Sequence, residues 1–369
     1  MTTSRNIHHL DTEEEPTLTN NQPYASIHSG ATAKVIPRVL AIGGGTGLPQ
    51  VLRGLCDYFY GDTHLADYLN KTDLITVLVT TTDDGGSSGR LRRTFNLLPP
   101  GDIRNCMAAL AKDEVMMRLL QYRFQGKDGV SGHTLGNLVL AGLADIHKDF
   151  LKAIEQLGQL MKVRGKILPT TLSPVSLIAE LTNGRKAHGE TKISNSKSRI
   201  RRILLNPGAP YPTPGVISAI RNADLIIFGP GSLYTSIIPN LLVKGVARTI
   251  KESKAVKVLV CNIMTQPGET DDHTVADHIS AIHAHVRFKM IDYVVINTGK
   301  IDDMRTRLYA ATNSRPVSWS VEEIACLGVA PVLDDVLEEG PWIRHDPEKL
   351  TSRVIEIFKK EAKAGKREG

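Results

Sequence analysis

Three times this chain runs from a short apolar segment straight into glycine and then into helix-periodic sequence. The segments are RVLAIGGGTGLPQVL from Arg38, DLITVLVTTTDDGGSSGRL from Asp73 and ADLIIFGPGSLYTSII from Ala223. Near-continuous apolar runs bounded by glycine are what strands buried on both faces look like. AVKVLVCN from Ala255 and IDYVVINTG from Ile291 repeat the strand-then-loop pattern. Between them lie helical patterns: Leu48, Val51, Leu52, Leu55 and Phe59 share one helical face, and Ile103–Ala111, Glu114–Phe124, Thr134–Ile146 and Phe150–Val163 read as further helices. Alternating strands and helices predict an α/β fold, a Rossmann-like doubly wound and mostly parallel sheet. Right-handed crossovers put every strand-to-helix loop on one edge, where ligands bind such sheets.

One stretch breaks the rhythm. Period-two sequence flanks Asn183-Gly184, a hairpin turn pair, which predicts an antiparallel β-hairpin insertion over about residues 168–205. Residues 1–36 are polar and are expected to be a disordered tail; residues 37–345 form the domain; residues 346–369, ending FKKEAKAGKREG, read as a fraying basic helix or tail.

Composition narrows the function. Of 369 residues 41% are hydrophobic, enough for a large core. No run approaches the roughly 18 apolar residues of a membrane span, and the first 30 residues hold no apolar signal-peptide core. Cys56, Cys106, Cys261 and Cys326 are scattered and read as reduced thiols, so a cytoplasmic protein is expected. The formal charge of +6 is mild, and 5% aromatics do not interleave with the basic stretch Gly184–Arg202, which argues against a nucleic-acid surface. That stretch reads as a solvated hairpin, the rim of an anion site or, around Arg199–Arg202, a protein-docking surface. His273, His278, His283 and His285 include no i, i+4 pair suited to zinc.

Four loops are expected to meet on the functional edge. Gly43, Gly44, Gly45, Thr46 and Gly47 let backbone approach a phosphate at a helix start, or simply make a tight turn. The run satisfies neither G-x-G-x-x-G nor the P-loop pattern. Asp83 and Asp84 repel each other unless compensated, which suits a bridging Mg²⁺; Gly85, Gly86, Ser87, Ser88 and Gly89 suit an anion nest and Arg90 a charge-assisted contact. A solvated turn is the alternative. Asp102, Arg104 and Asn105 extend this wall, or Asp102 caps the following helix. Gly229, Gly231, Ser232, Tyr234, Thr235 and Ser236 can hold phosphate or cap a helix. Asn262, Thr265, Gln266, Glu269 and Thr270 suit a ribose, sugar or base edge. His133 and Asn137, four apart at a helix opening, offer a general acid or base, or a cap.

Taken together, GGGTGL (Gly43–Leu48), DDGGSSGRLR (Asp83–Arg92), LPPGDIRNC (Leu98–Cys106), GHTLGNL (Gly132–Leu138), GPGSLYTSIIPNLLV (Gly229–Val243), CNIMTQPGET (Cys261–Thr270) and IDYVVIN (Ile291–Asn297) resemble the putative gluconeogenesis factor family of the 2-phospho-L-lactate transferase-like superfamily. The likeness spans about residues 38–300. It implies a Rossmann-like fold that binds a nucleotide sugar, with UDP-N-acetylglucosamine the ligand of that branch, and no settled catalysis. It also implies a regulator connected with growth on gluconeogenic carbon, cell shape and peptidoglycan supply. The transferase branch implies instead a Mg²⁺-dependent transfer of a phospholactyl group from a guanosine diphosphate donor. A homo-oligomer and a regulatory protein partner are left open.

Overall fold

The structure is a computed structural model that describes residues 25–27, 34–61, 74–127 and 129–365. Most of the expected tail, residues 1–36, lies outside the described residues; within it Ala25–Ile27 pairs antiparallel with Lys34–Ile36. From Arg38 onward ten strands follow. They are β1 (Val39–Gly43), β2 (Ile75–Val79), β3 (Lys166–Pro169), β4 (Ser176–Leu181), β5 (Lys186–His188), β6 (Ile200–Asn206), β7 (Leu225–Phe228), β8 (Val256–Val260), β9 (Tyr293–Asn297) and β10 (Ala330–Asp334).

Seven of them form one sheet in the order β10-β9-β8-β7-β1-β2-β3, and every pairing in it is parallel. Side chains alternate between two cores: Val39 and Ala41 enter one, Leu40 and Ile42 the other, and Leu225/Ile227 and Ile226/Phe228 do the same on β7. Burial on both faces is why these strands read as unbroken apolar runs. The strand order reverses direction between β1 and β7, so the helices that follow these two strands go to opposite faces and leave a crevice at the strand ends.

The first core packs helices α1 (Leu48–Tyr60), α3 (Gly101–Leu110), α4 (Glu114–Gln121), α5 (Leu135–His147) and α6 (Phe150–Leu160) over one face, with α2 (Gly86–Phe95) lying against α5. The other face carries α7 (Glu190–Ser194) and the antiparallel sheet β5-β4-β6, with α8 (Val275–Val286) beyond it. The hairpin turn stands where Asn183-Gly184 placed it, with Gly184 at φ 82°. The insertion has a third strand, β6, and begins only after β3, so Leu168 and Pro169 belong to the main sheet.

Of the two C-terminal readings, basic helix or tail, the structure shows a helix, and one packed on the domain rather than fraying from it. After α9 (Asp303–Ala310) and β10, α10 (Pro347–Gly365) lies along α1 and buries Leu350, Val354, Ile355, Ile357 and Phe358 in the first core. Its lysines face outward while its apolar stripe closes the sheet. Leu350 is fully buried, so Leu350→Ala should cost about 2–5 kcal/mol in a denaturant titration of the whole chain. A cost below about 0.5 kcal/mol would mean that α10 is only a loosely held appendage.

Candidate active site at the sheet crevice

The loops leaving β1 and β7 are pressed together. A Cβ on Gly47 would lie 2.7 Å from the Pro230 carbonyl oxygen, and one on Gly44 would overlap the Asp102 carboxylate. Only glycine permits that approach, so these glycines serve packing as well as any ligand. The β8 loop locks onto the β7 loop: Asn262 Nδ2 donates to the Gly231 carbonyl (2.9 Å), and Gly231 N–H donates to Asn262 Oδ1 (3.0 Å). Gln266 Nε2 then donates to Ser232 Oγ (2.8 Å), and Asn105 Nδ2 on α3 donates to the Gly45 carbonyl (3.2 Å). Leu233–Ile237 forms a π-helical turn, a form that concentrates at functional sites.

These loops enclose a cavity of about 660 Å³ lined by Gly45, Thr46, Gly47, Gln50, Gly231, Ser232, Asn262, Thr265, Gln266 and Glu269. That volume suits a nucleotide-sized molecule. Seven further polar or aromatic residues join the wall. Glu190 and Ser194 come from the insertion, and Tyr309, Ser314, Trp342, Arg344 and His345 from the segments after β9 and β10. The sequence reading named none of these individually, although Glu190 and Ser194 fall within the stretch Gly184–Arg202 that it offered as the rim of an anion site; the other five lie beyond the glycine loops on which it relied. Among the described residues Arg344 is the one Lys or Arg in the lining.

Other expected residues stand behind or beside the cavity. Thr235 and Ser236 are buried, with Thr235 Oγ1 donating to Glu269 Oε1 (3.2 Å) and Ser236 Oγ lying behind Gly45. Tyr234 turns inward, its hydroxyl 3.1 Å from His273 Nε2. Gly85 through Arg90 do not form an open loop: Gly85 caps α2, and Gly86 to Arg90 are its first turns. Asp83 and Asp84 point to different places. Asp84 Oδ1 accepts from Thr191 N–H (3.0 Å) and Thr191 Oγ1 (2.9 Å), tying the first core to α7. Asp83 Oδ1 accepts from Gly85 N–H (2.8 Å), and its second oxygen faces the start of α3.

The model of the family described as 2-phospho-L-lactate transferase CofD matches residues 39–337. The chain belongs to the CofD family. It is 42% identical over 325 residues to the gluconeogenesis factor of Bacillus subtilis, covering 88% of this chain and 98% of that protein. It is 45% identical over 326 residues to a putative gluconeogenesis factor of Nostoc, covering 87% of this chain and 69% of the relative. A solved UPF0052-family protein from Bacillus halodurans superposes with TM-score 0.79 at 39% identity, covering 86% of this chain and 99% of that one.

In this CofD-family chain the crevice collects acids. Burial pushes Asp102 up to about 6, helped by the Asp83 carboxylate and opposed by the Gly45 amide. Burial pushes Glu190 up to about 9, with Asp83, Asp102, Glu269 and Asp84 adding repulsion. Glu269 is likewise raised by burial, against hydrogen bonds from Ser194 and Thr235. Glu190 is therefore a neutral acid at pH 7, which lets the cavity wall accept an anion without like-charge repulsion. Among the described residues no cluster of three or more His, Cys, Asp or Glu has the geometry of a metal site.

His133 is held away from the cavity. Ser87 Oγ lies 2.9 Å from His133 Nδ1 and accepts from Asn137 Nδ2 (3.0 Å). The hydroxyl can still donate to Nδ1 or accept from it, according to which ring nitrogen carries the proton. Burial, then Arg90 and Arg123, lower the His133 pKa, so the ring is neutral.

Proposed function

We propose that the chain is a gluconeogenesis factor that binds a nucleotide sugar of the UDP-N-acetylglucosamine type in the crevice between β1 and β7. The supporting observation is the cavity itself: the loops leaving β1, β7 and β8 at the carboxyl ends of parallel strands, backbone pressed close at Gly44 and Gly47, and one cation among the described residues, Arg344, in the wall. In this reading the diphosphate lies on Gly45–Gly47 and Ser232, reached by Arg344. Tyr309 and Trp342 offer aromatic faces for the base, and Asn262, Gln266 and Glu269 hold hydroxyls of ribose and sugar. Asp84 acts at one remove, by fixing the α7 segment that carries Glu190. The role extends to regulation of growth and morphogenesis on gluconeogenic carbon sources and of peptidoglycan supply, in the cytoplasm, without turnover of the ligand. Among the described residues no helix is long and apolar enough to cross a membrane.

Calorimetry with UDP-N-acetylglucosamine tests this. Gln266→Ala removes a donor to Ser232 and a wall of the cavity, and should weaken binding about tenfold while the melting temperature stays put. Unchanged affinity in that variant, or no heat of binding to the parent chain, would remove the proposal.

The convergence of Asp83 and Asp102 supports a second reading, a Mg²⁺-dependent transferase acting on a nucleotide-diphosphate donor. Burial and the Asp83 carboxylate raise the proton affinity of Asp102, and a carboxylate pair of this kind suits a hard cation better than Asp83 with Asp84, whose oxygen is engaged by Thr191. Mg²⁺ there would neutralise charge on a departing diphosphate. Mass spectrometry of a guanosine-diphosphate donor incubated with Mg²⁺ and acceptor alcohols should then show donor loss. An intact donor counts against this reading.

A further inference from the structure

We infer that the chain has a second anion site, separate from the crevice cavity, in which Arg90, Arg104 and Arg123 take a phosphate group of a small molecule. The observation behind it is a buried charge with no ion-pair partner among the described residues, on which Asp102 acts only from beyond contact. Arg104 is only 8% exposed, its Nε is buried with no hydrogen-bond partner, and no carboxylate among the described residues lies within ion-pair distance of its guanidinium. A buried charge is costly unless paired, so this arrangement marks a place where a partner belongs.

Two more arginines converge on the same segment. Arg90 Nη2 donates to the Ser131 carbonyl (2.8 Å), and Arg123 Nη1 donates to the Gly132 carbonyl (2.6 Å). Each guanidinium is thus fixed by one contact to adjacent residues, with other N–H groups left over, and none of the three arginines forms an ion pair among the described residues. Gly136 makes room for the third: a Cβ there would sit 2.7 Å from Arg104 Cγ. On the same segment Thr134 Oγ1 and Asn137 Oδ1, in residues 1% and 2% exposed, are also buried without partners. Three like charges gathered beside orphaned polar atoms suit a dianion that can take several forked contacts, which describes phosphate better than a carboxylate.

The site is distinct from the cavity because α3 stands between them. Asp102 and Asn105, three residues apart, meet the Gly44–Gly45 backbone, while Arg104 is about 200° round the helix from Asp102 and meets α5. None of the three arginines lines the cavity. The lowered proton affinity of His133, caused in part by Arg90 and Arg123, agrees with an excess of positive field there. The inference goes beyond the nucleotide-sugar reading and does not need it.

The test is a titration of the full chain with inorganic phosphate, followed by ³¹P line width and by melting temperature, with acetate as the comparison anion. Phosphate should bind saturably and raise the melting temperature more than acetate does. Arg104→Met and Arg123→Ala should each weaken phosphate about tenfold. Arg104→Met should also melt higher than the parent without phosphate, since it removes a buried charge whose desolvation and repulsion from Arg123 outweigh the pull of Asp102; a purely structural arginine would melt lower on replacement. Gln266→Ala and saturation with UDP-N-acetylglucosamine should leave the phosphate titration unchanged, so failure of the cavity reading shows separately. If Arg104→Met does not fold, the exposed Arg90→Ala and Arg123→Ala decide. Absence of saturable binding, equal response to acetate, unchanged affinity in the arginine variants, or loss in Gln266→Ala would each overturn the inference.

Discussion

Arg344→Ala is expected to weaken UDP-N-acetylglucosamine binding by about 10- to 100-fold, the worth of one charge-assisted contact of roughly 1.5–3 kcal/mol. A diphosphate entering the crevice meets backbone amides, neutral hydroxyls and amides, and, among the described residues, a single Lys or Arg side chain. In the free chain Arg344 pairs with Glu338 at the surface, with Arg344 46% exposed. Such a pair is worth at most about 1 kcal/mol, so it is readily exchanged for a ligand phosphate. Arg344→Lys should recover only part of the loss, because a lysine cannot fork across two oxygens. Calorimetry on the three chains, with melting temperatures as a folding control, reads the effect. Equal affinities across the three would place the diphosphate elsewhere.

Glu190→Gln should stabilise the free chain at pH 8 by about 2 kcal/mol and should flatten its stability between pH 5 and 9. The sign follows from the direction of the shift. Glu190 is raised from its ordinary value to about 9 in the folded chain by burial and by neighbouring carboxylates. Below about pH 4.5 both folded and unfolded chains hold the proton, and nothing is lost. As pH rises toward 9 the unfolded chain releases it while the folded chain must keep it, so stability falls across that window. The full linkage would be larger; contact with cavity water reduces it. The same group affects binding: above about pH 9 it ionises beside the ligand, and nucleotide-sugar affinity should drop. Urea titrations of both chains at pH 5, 7 and 9 check the first effect. A parent chain as stable at pH 9 as at pH 5 would show that Glu190 is solvated and ordinary.

Much of the architecture could be read before any coordinates, and the reason is local. β1, β2, β7, β8 and β9 sit inside the sheet with both faces covered, so their sequences are nearly pure apolar runs. The two strands that escaped, β3 and β10, are the edges. β3 has four residues and ends in Pro169, and β10 carries Pro331 with no buried residue. Neither offers a run or an alternation strong enough to stand out from its neighbours.

The site followed the same logic. Gly45, Ser232, Asn262 and Gln266 come from loops that directly follow central strands, and they meet in the cavity. The GGSSG run was misleading because its composition disfavours a helix, yet Ser87, Ser88 and Gly89 are buried in the first turns of α2. Asp83 and Asp84 looked like one unit, but adjacent residues point different ways, and Thr191, more than 100 residues on, claims one of them. Tyr309, Trp342 and Arg344 reach the cavity through long-range packing of α9 and of the chain before α10. The unpaired state of Arg104 was equally invisible, since it depends on what the fold leaves out of its neighbourhood.

The most direct test of the account is a crystal structure of the chain grown with UDP-N-acetylglucosamine. The account predicts the diphosphate between the β1 and β7 loops, within hydrogen-bond reach of Gly45–Gly47 backbone N–H groups and of Arg344, with a ring against Tyr309 or Trp342. Ligand density on any other face, with this crevice closed, would contradict it.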